Sequence, residues 1–358
     1  MSKDAPRPAV LRDVARLAGV SHQTVSRVLN DHPNVHEETR RRVQRAIEQL
    51  DYRPNQLARG LVTRRSRRLG VISLESRLFG PTSSLLGIEQ AARETGYAVT
   101  VTAVAADGTN TQAALAAMID QAVDGVIIIA PTEATAASIG VLPPGVPAVA
   151  AGASYRASVP LAAVDQIAGA RLATEHLLSL GHRTVWHVAG PRDWIEAQER
   201  VEGWRASLSD AGVAAPPLLR GDWSPASGHR ASLDLLSRSG VTAVFVANDQ
   251  MAAGLLNGLH RHGVRVPEDV SVVGFDDIPE AEFLIPPLTT VRQDLAAVGR
   301  LGVRLLVEQI EGTAPAEQAP RRIDPVFVLR DSTSSPATGK RPARLTGSIA
   351  GGPSGGRG

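Results

Sequence analysis

The chain has 358 residues, of which 43% are hydrophobic and 21% are charged, and its mean hydropathy is −0.04. These values predict two or three folded units and exclude a largely disordered chain. The absence of cysteine excludes disulfides, thiolate metal sites and cysteine nucleophiles. There is no apolar run long enough to span a membrane, and the first residues, MSKDAPRPAVLRDV, lack the apolar stretch of a signal peptide. We therefore expect a cytoplasmic protein with no membrane partner.

The charge is unevenly distributed along the chain. Residues 1–68 carry 15 basic and 7 acidic side chains, residues 69–331 carry 19 and 29, and residues 332–358 carry 4 and 0. A basic head on an acidic body is typical of a polyanion-binding module joined to a soluble domain. The alternative, a basic segment on a membrane surface, lacks a wide apolar face with aromatic residues.

The basic head predicts three helices, over residues 11–18, 23–30 and 37–50. Gly19 supplies the tight turn of a helix-turn-helix, and Ser21 is a good N-cap for the second helix. The other face of that helix is polar, with His22, Gln23, Thr24, Ser26, Arg27 and Asn30. Gln and Arg pair bidentately with adenine and guanine, so this face suits base edges. The alternative is a merely solvated face, and it is stronger for the arginine cluster Arg40, Arg41, Arg42 and Arg45 of the third helix.

The stretch LRDVARLAGVSHQTVSRVLNDHPNVHEETRRRVQRAIEQLDYRPNQLARGLVT resembles the DNA-binding head of the LacI/GalR transcription repressor family. The resemblance implies that the second helix enters the major groove of double-stranded operator DNA and that a hinge helix over 55–62 forms on DNA, with Leu61 in the minor groove. The DNA-contacting residues that it implies are Ser21, His22, Gln23, Thr24, Ser26, Arg27, Asn30, Asn34, Thr39, Asn55, Ala58 and Leu61. A galactoside-responsive member has tyrosine where this chain has His22, so the operator sequence does not transfer unchanged.

Beyond residue 69, short apolar runs alternate with helical patterns, which predicts parallel sheets covered on both faces. The family resemblance continues to about residue 330 through GDWS, VANDQMA, SVVGFDD and IPPLTT, and in this part it is nearest to a galactoside-responsive member. It implies a two-lobed periplasmic-binding-protein-like body joined by three crossings. The predicted fold class is therefore α/β, an all-α helix-turn-helix head plus this body.

The expected domain boundaries follow from these patterns. We expect a DNA-binding domain at 1–54, a hinge and linker at 55–68 and an effector-binding and dimerisation domain at 69–331. Within the last, the N-lobe is about 69–163 and 293–324, and the C-lobe is about 164–292 and 325–331. Residues 332–358 are rich in Gly, Pro, Ser and Arg and predict a disordered tail. No leucine heptad is present, so we expect a homodimer rather than a tetramer.

Four polar or aromatic residues of the body predict a ligand site, since ligands bind at the carboxyl ends of parallel strands. Asn248 and Asp276 follow apolar runs, Trp223 lies in GDWS, and Arg200 lies in a helix after an AGP turn. Such residues suit a sugar, whose hydroxyls need paired donors and acceptors and whose apolar face stacks on an indole. The alternatives are a turn residue for Asp276, an N-cap for Asn248 and a core residue for Trp223. The resemblance implies that the four converge, and it adds Leu78, Pro81, Glu196 and Gln293.

Three positions depart from the galactoside-responsive member. Glu196 replaces a small hydroxyl residue, Gly152 an aspartate and Ile129 an asparagine. The effector, expected to be a mono- or disaccharide, therefore need not be the same galactoside.

The expected function is a dimeric, sequence-specific transcriptional repressor, nucleoid-associated and released from a pseudo-palindromic operator by a galactoside-like effector. The alternatives are a sugar-binding protein without a regulatory role and a regulator that needs a purine-type co-repressor. An enzyme using Asp276–Asp277 with His260 or His262 is disfavoured, because neighbouring strand residues diverge and no nucleophile elbow or phosphate loop is present. No catalytic residue, cofactor or metal site is expected.

Overall fold

The computed structural model describes residues 9–29, 32–52, 65–75, 78–105, 107–129, 132–139, 142–143, 145–152, 159–315 and 320–337. The chain divides into two compact units, Met1–Ser66 and Arg67–Gly358. The predicted hinge, with Asn55, Ala58 and Leu61, lies outside the described residues, as does Asn30.

The first unit contains three helices, α1 Leu11–Ala18, α2 His22–Leu29 and α3 Glu37–Gln49. One valine from each helix, Val14, Val25 and Val43, is fully buried in their common core. Gly19 ends α1 in the left-handed conformation (φ 63°), which costs glycine little and turns the chain toward α2. The predicted helix-turn-helix is confirmed.

The second unit consists of alternating strands and helices. Its strands are β1 Arg68–Leu74, β2 Ala98–Val104, β3 Gly125–Ile129, β4 Ala148–Ala151, β5 Leu161–Val164, β6 Trp186–Ala189, β7 Leu219–Arg220, β8 Ala243–Val246, β9 Ser271–Val273, β10 Thr290–Arg292, β11 Arg321–Ile323 and β12 Val326–Val328. Its helices are α4 Phe79–Glu94, α5 Thr111–Asp120, α6 Glu133–Ile139, α7 Gln166–Ser179, α8 Ile195–Asp210, α9 Pro225–Leu236, α10 Asp249–Arg261 and α11 Leu295–Glu311, with a 3₁₀ turn at Pro279–Phe283.

Ten of these twelve strands form two parallel sheets, one in each lobe, and β10 and β12 form a separate antiparallel pair. The first lobe has the order β11-β5-β4-β3-β1-β2 and is covered by α4, α5 and α11, while the second has the order β7-β6-β8-β9 and carries α7 to α10. The chain crosses between the lobes after β5, between β10 and α11, and between β11 and β12. Strands β3 to β6, β8 and β9 are buried along their whole length, as expected for parallel sheets covered on both faces. The predicted two-lobed body is confirmed.

Polar side chains cap four described helices of the body, and three of these caps lie within two residues of the end of a strand. The side chains of Asp165, Asn248 and Asp294 each accept a hydrogen bond from the backbone N–H three residues on, at 2.9, 2.9 and 2.7 Å. These caps satisfy N–H groups that a helix cannot pair internally. They hold the helix starts near the carboxyl ends of the strands, where both lobes present polar side chains.

Two sequence expectations are wrong in part. The helical pattern over residues 83–95 predicts a start at Ser83, but α4 begins at Phe79, because Pro81 lies in its first turn, where a missing N–H costs no helical hydrogen bond. The expected disorder from residue 332 does not apply to 332–337. Ser332 is fully buried, and its hydroxyl donates to the Val272 carbonyl at 2.6 Å and accepts from the Thr289 N–H at 2.8 Å. Residues 338–358 lie outside the described part of the chain.

Candidate functional site

The predicted DNA-reading face of α2 is exposed. His22, Gln23, Ser26 and Arg27 all project from the side opposite Val25 and Val28. Ser21 caps the helix as predicted, its hydroxyl accepting from the Thr24 N–H at 3.1 Å and lying 2.9 Å from the Thr24 hydroxyl. Asn34 is exposed and Thr39 half-buried, both in or just before α3. The structure therefore places the described members of the set on the first unit, and their contact with DNA stays a prediction.

The arginine cluster of α3 separates into different roles. Arg42 donates to the carbonyl oxygens of Ala18 and Gly19, at 2.5 and 3.2 Å, and so closes the end of α1. Arg41 is solvent-exposed and pairs with Glu37 at 3.3 Å along the same helix. Arg42 is thus neither a simple solvated charge nor a free phosphate ligand, because its guanidinium holds the helix-turn-helix corner.

A cleft between the two lobes of the second unit encloses about 530 Å³ of empty space, part of it open to solvent. All eight predicted effector residues line it: Leu78, Pro81, Glu196, Arg200, Trp223, Asn248, Asp276 and Gln293. The remaining lining residues are Phe79, Gly80, Ser84, Ile129, Ala151, Gly152, Trp194, Gln250 and Leu295. Structural convergence of the eight is established, while their contact with a ligand stays a prediction.

A chain of hydrogen bonds runs across the floor of the cleft. Arg200 Nε donates to Gln166 Oε1 at 2.8 Å, and the Gln166 amide donates to Gln293 Oε1 at 2.7 Å. Gln293 in turn donates to Asp276 Oδ1 at 2.7 Å, and that oxygen lies 3.9 Å from Arg200 Nη2. The four side chains therefore close a ring that fixes the orientation of the carboxylate and the guanidinium before any ligand arrives.

Arg200 is the centre of this polar network and is only 2% exposed. Its Nη1 donates to the Ala247 carbonyl, and its guanidinium carbon lies 4.0 Å from the centroid of the Phe275 ring. A planar guanidinium stacks well on an aromatic face. Its Nη2 faces the cleft, 3.9 Å from a carboxylate oxygen of Glu196 as well as of Asp276.

Two carboxyl groups of the cleft have perturbed acidity. Burial raises the pKa of Asp276 to about 7, opposed by Arg200 and by the Gln293 hydrogen bond and reinforced by the charge of Glu196. Burial likewise raises the pKa of Glu196, and Arg200 opposes it. A carboxyl group poised in this way, in a cavity, is typical of a functional site.

The structural alternatives for Asn248 and Trp223 are partly correct. Asn248 caps α10, and its amide donates to the Trp223 carbonyl at 3.2 Å, so about half of its hydrogen-bonding capacity remains for a ligand. Trp223 is 5% exposed, packs edge-on against Trp194 and has a left-handed backbone (φ 70°). Its ring lies flat over Gly190, where any side chain would collide with it. These contacts make the indole a fixed wall of the cleft.

The Asp276–Asp277 pair does not form an acid–base couple. Asp277 points away and binds Arg292 and Arg330, each at 2.6 Å. His262 lies beyond the far end of α10, a helix of 13 residues and hence about 20 Å long. His260, in the last turn of the same helix, and His262 therefore both lie far from the cleft, where α10 begins.

No group of three or more His, Asp or Glu side chains among the described residues could hold a metal ion. No helix in the described part of the chain has the length and apolar character needed to cross a membrane.

Gln166 is the member of the network that sequence reasoning missed. It lies two residues after the end of β5, next to the cap residue Asp165. The rule that identified Asn248 and Asp276, a polar residue after a buried run, applies to it equally. Trp194 carries a weaker signal, since only its position just before α8 relates it to the cleft.

Taken together, a helix-turn-helix unit and a two-lobed, periplasmic-binding-protein-like body with an inter-lobe cleft define a class of one-chain bacterial regulators. The model of the bacterial regulatory proteins of the lacI family matches residues 10–55, and that of a periplasmic binding protein-like domain matches residues 174–333. The chain belongs to the LacI family of bacterial regulatory proteins.

The relatives agree with this family over most of the chain. The lactose operon repressor of Escherichia coli is 35% identical over 86% of this chain and 86% of its own length. The regulator CelR of Thermobifida fusca is 38% identical over 86% of this chain and 93% of its own. The lac repressor dimer bound to operator and the anti-inducer ONPF has a TM-score of 0.84 at 34% identity, covering 92% of this chain and all of that one. A CelR–cellobiose complex has a TM-score of 0.69 at 34% identity, covering 90% and 99%.

Proposed function

We propose that this protein is a sequence-specific transcriptional repressor that binds a pseudo-palindromic operator as a homodimer and is released by a sugar bound between its lobes. The boundaries given above for head, hinge, lobes and tail are part of this proposal, apart from the ordered residues 332–337. The observation that carries the ligand half is the closed ring of Arg200, Gln166, Gln293 and Asp276 at the cleft between the lobes. Preoriented donors and acceptors beside a fixed indole suit the hydroxyls and apolar face of a sugar.

Exposed apolar side chains support the dimer. Leu86 of α4 and Val101 of β2 are 65% and 48% exposed, and Phe283 and Ile285 after β9 are 76% and 92% exposed. Large apolar side chains exposed in groups usually mark an interface. The solved lac repressor relative is a dimer on its operator, and its fold matches this chain over 92% of its length. We therefore assign these patches of the body to contact with a second copy.

A regulatory rather than catalytic role fits the cleft. The Asp276 carboxyl group accepts from Gln293 and lies 3.9 Å from Arg200, and no histidine or serine base–nucleophile pair lies among the described lining residues of the cleft. The relatives are transcriptional regulators. A DNA-reading head needs access to the chromosome, so we place the protein at the nucleoid in the cytoplasm.

DNA selection with and without a panel of sugars tests the proposal in one experiment. We expect enrichment of a two-fold symmetric site by the full chain, and loss of that enrichment with one sugar of the panel. Enrichment only in the presence of a purine base would instead identify the co-repressor alternative. Turnover of a glycoside without any DNA selection would contradict the proposal.

The variant Asp276→Asn examines the ligand half separately. It keeps the shape of the side chain but loses a charge-assisted hydrogen bond worth about 1.5–3 kcal/mol. Operator binding should stay as in the parent, and the sugar should no longer release the protein. Loss of both operator binding and folding would support a purely structural role for Asp276.

A further inference from the structure

Glu196 is an acidic side chain that faces the cleft without a hydrogen bond to any described residue. Its nearest partner is Arg200 Nη2, at 3.9 Å, and its side chain is 16% exposed. The carboxylate extends from α8 of the second lobe toward the end of β4 in the first, because its Oε1 lies 3.4 Å from where a Cβ at Gly152 would be. The Glu196 carboxylate therefore lies within van der Waals reach of the first lobe at position 152.

The charges around Glu196 do not balance. One guanidinium, that of Arg200, faces two carboxylates, Glu196 and Asp276, both at 3.9 Å. Arg200 is the one cationic side chain among the described residues that line the cleft. Its other two nitrogens are engaged by Gln166 and the Ala247 carbonyl.

The charged groups behind the cleft wall add no positive charge. Asp249 lies behind Asp276 and is bonded to the Thr290 hydroxyl and the Ile278 N–H. Burial lowers the pKa of His187 to about 3, so that ring is neutral at pH 7. With both carboxyl groups ionised, this poorly hydrated cavity would hold an excess negative charge, and burial accordingly raises the pKa of each of them. A bound cation reduces that cost and favours the ionised forms.

We propose that the effector carries an ammonium group, as an amino sugar does, and that Glu196 together with Asp276 receives it. This inference rests on the proposed function of the cleft as a sugar site. An ammonium brings two carboxylates and one guanidinium to zero net charge, and its three N–H donors match free carboxylate oxygens. A neutral sugar would hydrogen-bond to the same oxygens but leave the excess charge in place. Glu196 is then the residue that sets specificity, whereas the ring around Asp276 orients the sugar.

Calorimetric titration of the full chain at pH 7 tests the inference with matched ligands. The probes are galactosamine, galactose and N-acetylgalactosamine, with the corresponding glucose series. We expect the amino sugar of one series to bind about tenfold tighter than its parent sugar and its neutral N-acetyl derivative, the size of a charge-assisted hydrogen bond. Glu196→Gln should reduce that preference to about threefold or less and keep affinity for the parent sugar. Glu196→Asp, which keeps the charge, should retain part of the preference.

Glu202→Gln is the matched control, since Glu202 lies on the exposed face of the same helix outside the cleft. It should keep the full preference. A parent sugar that binds as tightly as its amino sugar overturns the inference and leaves the proposed function intact. If none of these sugars binds, the inference and the proposed ligand class both fail. A preference unchanged in folded Glu196→Gln, checked by its thermal midpoint, overturns the role of Glu196.

Discussion

The side chains of α2 that are expected to read DNA are exposed to solvent on the side opposite its buried valines. In the cleft, by contrast, the groups expected to bind a ligand are buried and hydrogen-bonded to one another. Arg27 is exposed, while Arg200 is 2% exposed and engages Gln166, the Ala247 carbonyl and two carboxylates. Truncating a group of the first kind leaves no buried partner unsatisfied. Truncating one of the second kind leaves several, so its loss should affect folding as well as binding.

The largest expected effect is that of Arg200→Ala. Removing a buried guanidinium leaves Asp276 and Gln166 without their partner, and breaking such a pair costs about 3–5 kcal/mol. Urea unfolding of the body, followed by tryptophan fluorescence, should show a free energy of unfolding lower by that amount and therefore a lower midpoint. Arg205→Ala, on the exposed side of the same helix, should leave the midpoint unchanged. Equal midpoints for Arg200→Ala and the parent would remove the contrast between cleft and head.

A pH effect on stability should come from Asp276. Its folded pKa of about 7 lies above the ordinary value of 3.8, so between these values the folded state binds more protons than the unfolded state. The contribution of Asp276 to the free energy of unfolding therefore falls as pH rises from about 4 to 7. At ~1.4 kcal/mol per pKa unit the upper limit is on the order of 4–5 kcal/mol.

The difference between the parent and Asp276→Asn isolates this contribution from Glu196 and Asp249, whose pKa values burial also raises. The variant should become progressively more stable than the parent from pH 4 to pH 8. Asp234→Asn, on the exposed face of α9, serves as the control and should give a constant difference. If the parent instead became more stable relative to Asp276→Asn as pH rises, the attraction of Arg200 would outweigh the effect of burial on the pKa of Asp276.

In the head, Arg27→Ala should cost about 1–3 kcal/mol in binding to the operator and relax specificity at one base pair per half-site. Its thermal midpoint should match the parent, because the side chain is exposed. Gel-shift titrations against operator and random DNA measure both affinities. An equal loss on the two DNAs would make Arg27 a phosphate ligand rather than a base reader.

Arg42→Ala should give the smallest effect and the opposite pattern within the head. It removes two hydrogen bonds from the end of α1, which should lower the stability of the first unit by about 1 kcal/mol. The comparison variant is Arg41→Ala, since the side chain of Arg41 pairs with the exposed Glu37 along α3. Thermal unfolding followed by circular dichroism distinguishes the two variants. Equal midpoints would show that Arg42, like Arg41, is a solvated charge that contributes little to stability.

Much of this fold could be predicted because periodicity reports burial within one segment. The helical patterns over residues 11–18, 23–30 and 37–50 predict the three helices of the head, and the continuous apolar runs predict β3, β6 and β8 as strands covered on both faces. Strand ends in parallel sheets present polar residues to a ligand, which makes Asn248 and Asp276 candidate ligand residues, whereas their convergence with Arg200 and Trp223 is implied only by the family resemblance. The family resemblance supplied the remaining cleft residues, among them Glu196 and Gln293.

What only the tertiary structure decided depends on partners far apart in sequence. Gln166 and Gln293 are 127 positions apart, yet their hydrogen bond closes the ring that orients Arg200 and Asp276. No local pattern specifies such a pair, nor the burial that raises the pKa of Asp276. Ser332 begins a segment whose composition predicts disorder. It is nevertheless hydrogen-bonded within the body, because β9 and the segment before β10 leave backbone groups that its hydroxyl satisfies. Composition describes what a segment can do by itself, and packing determines which of its polar groups find a buried partner.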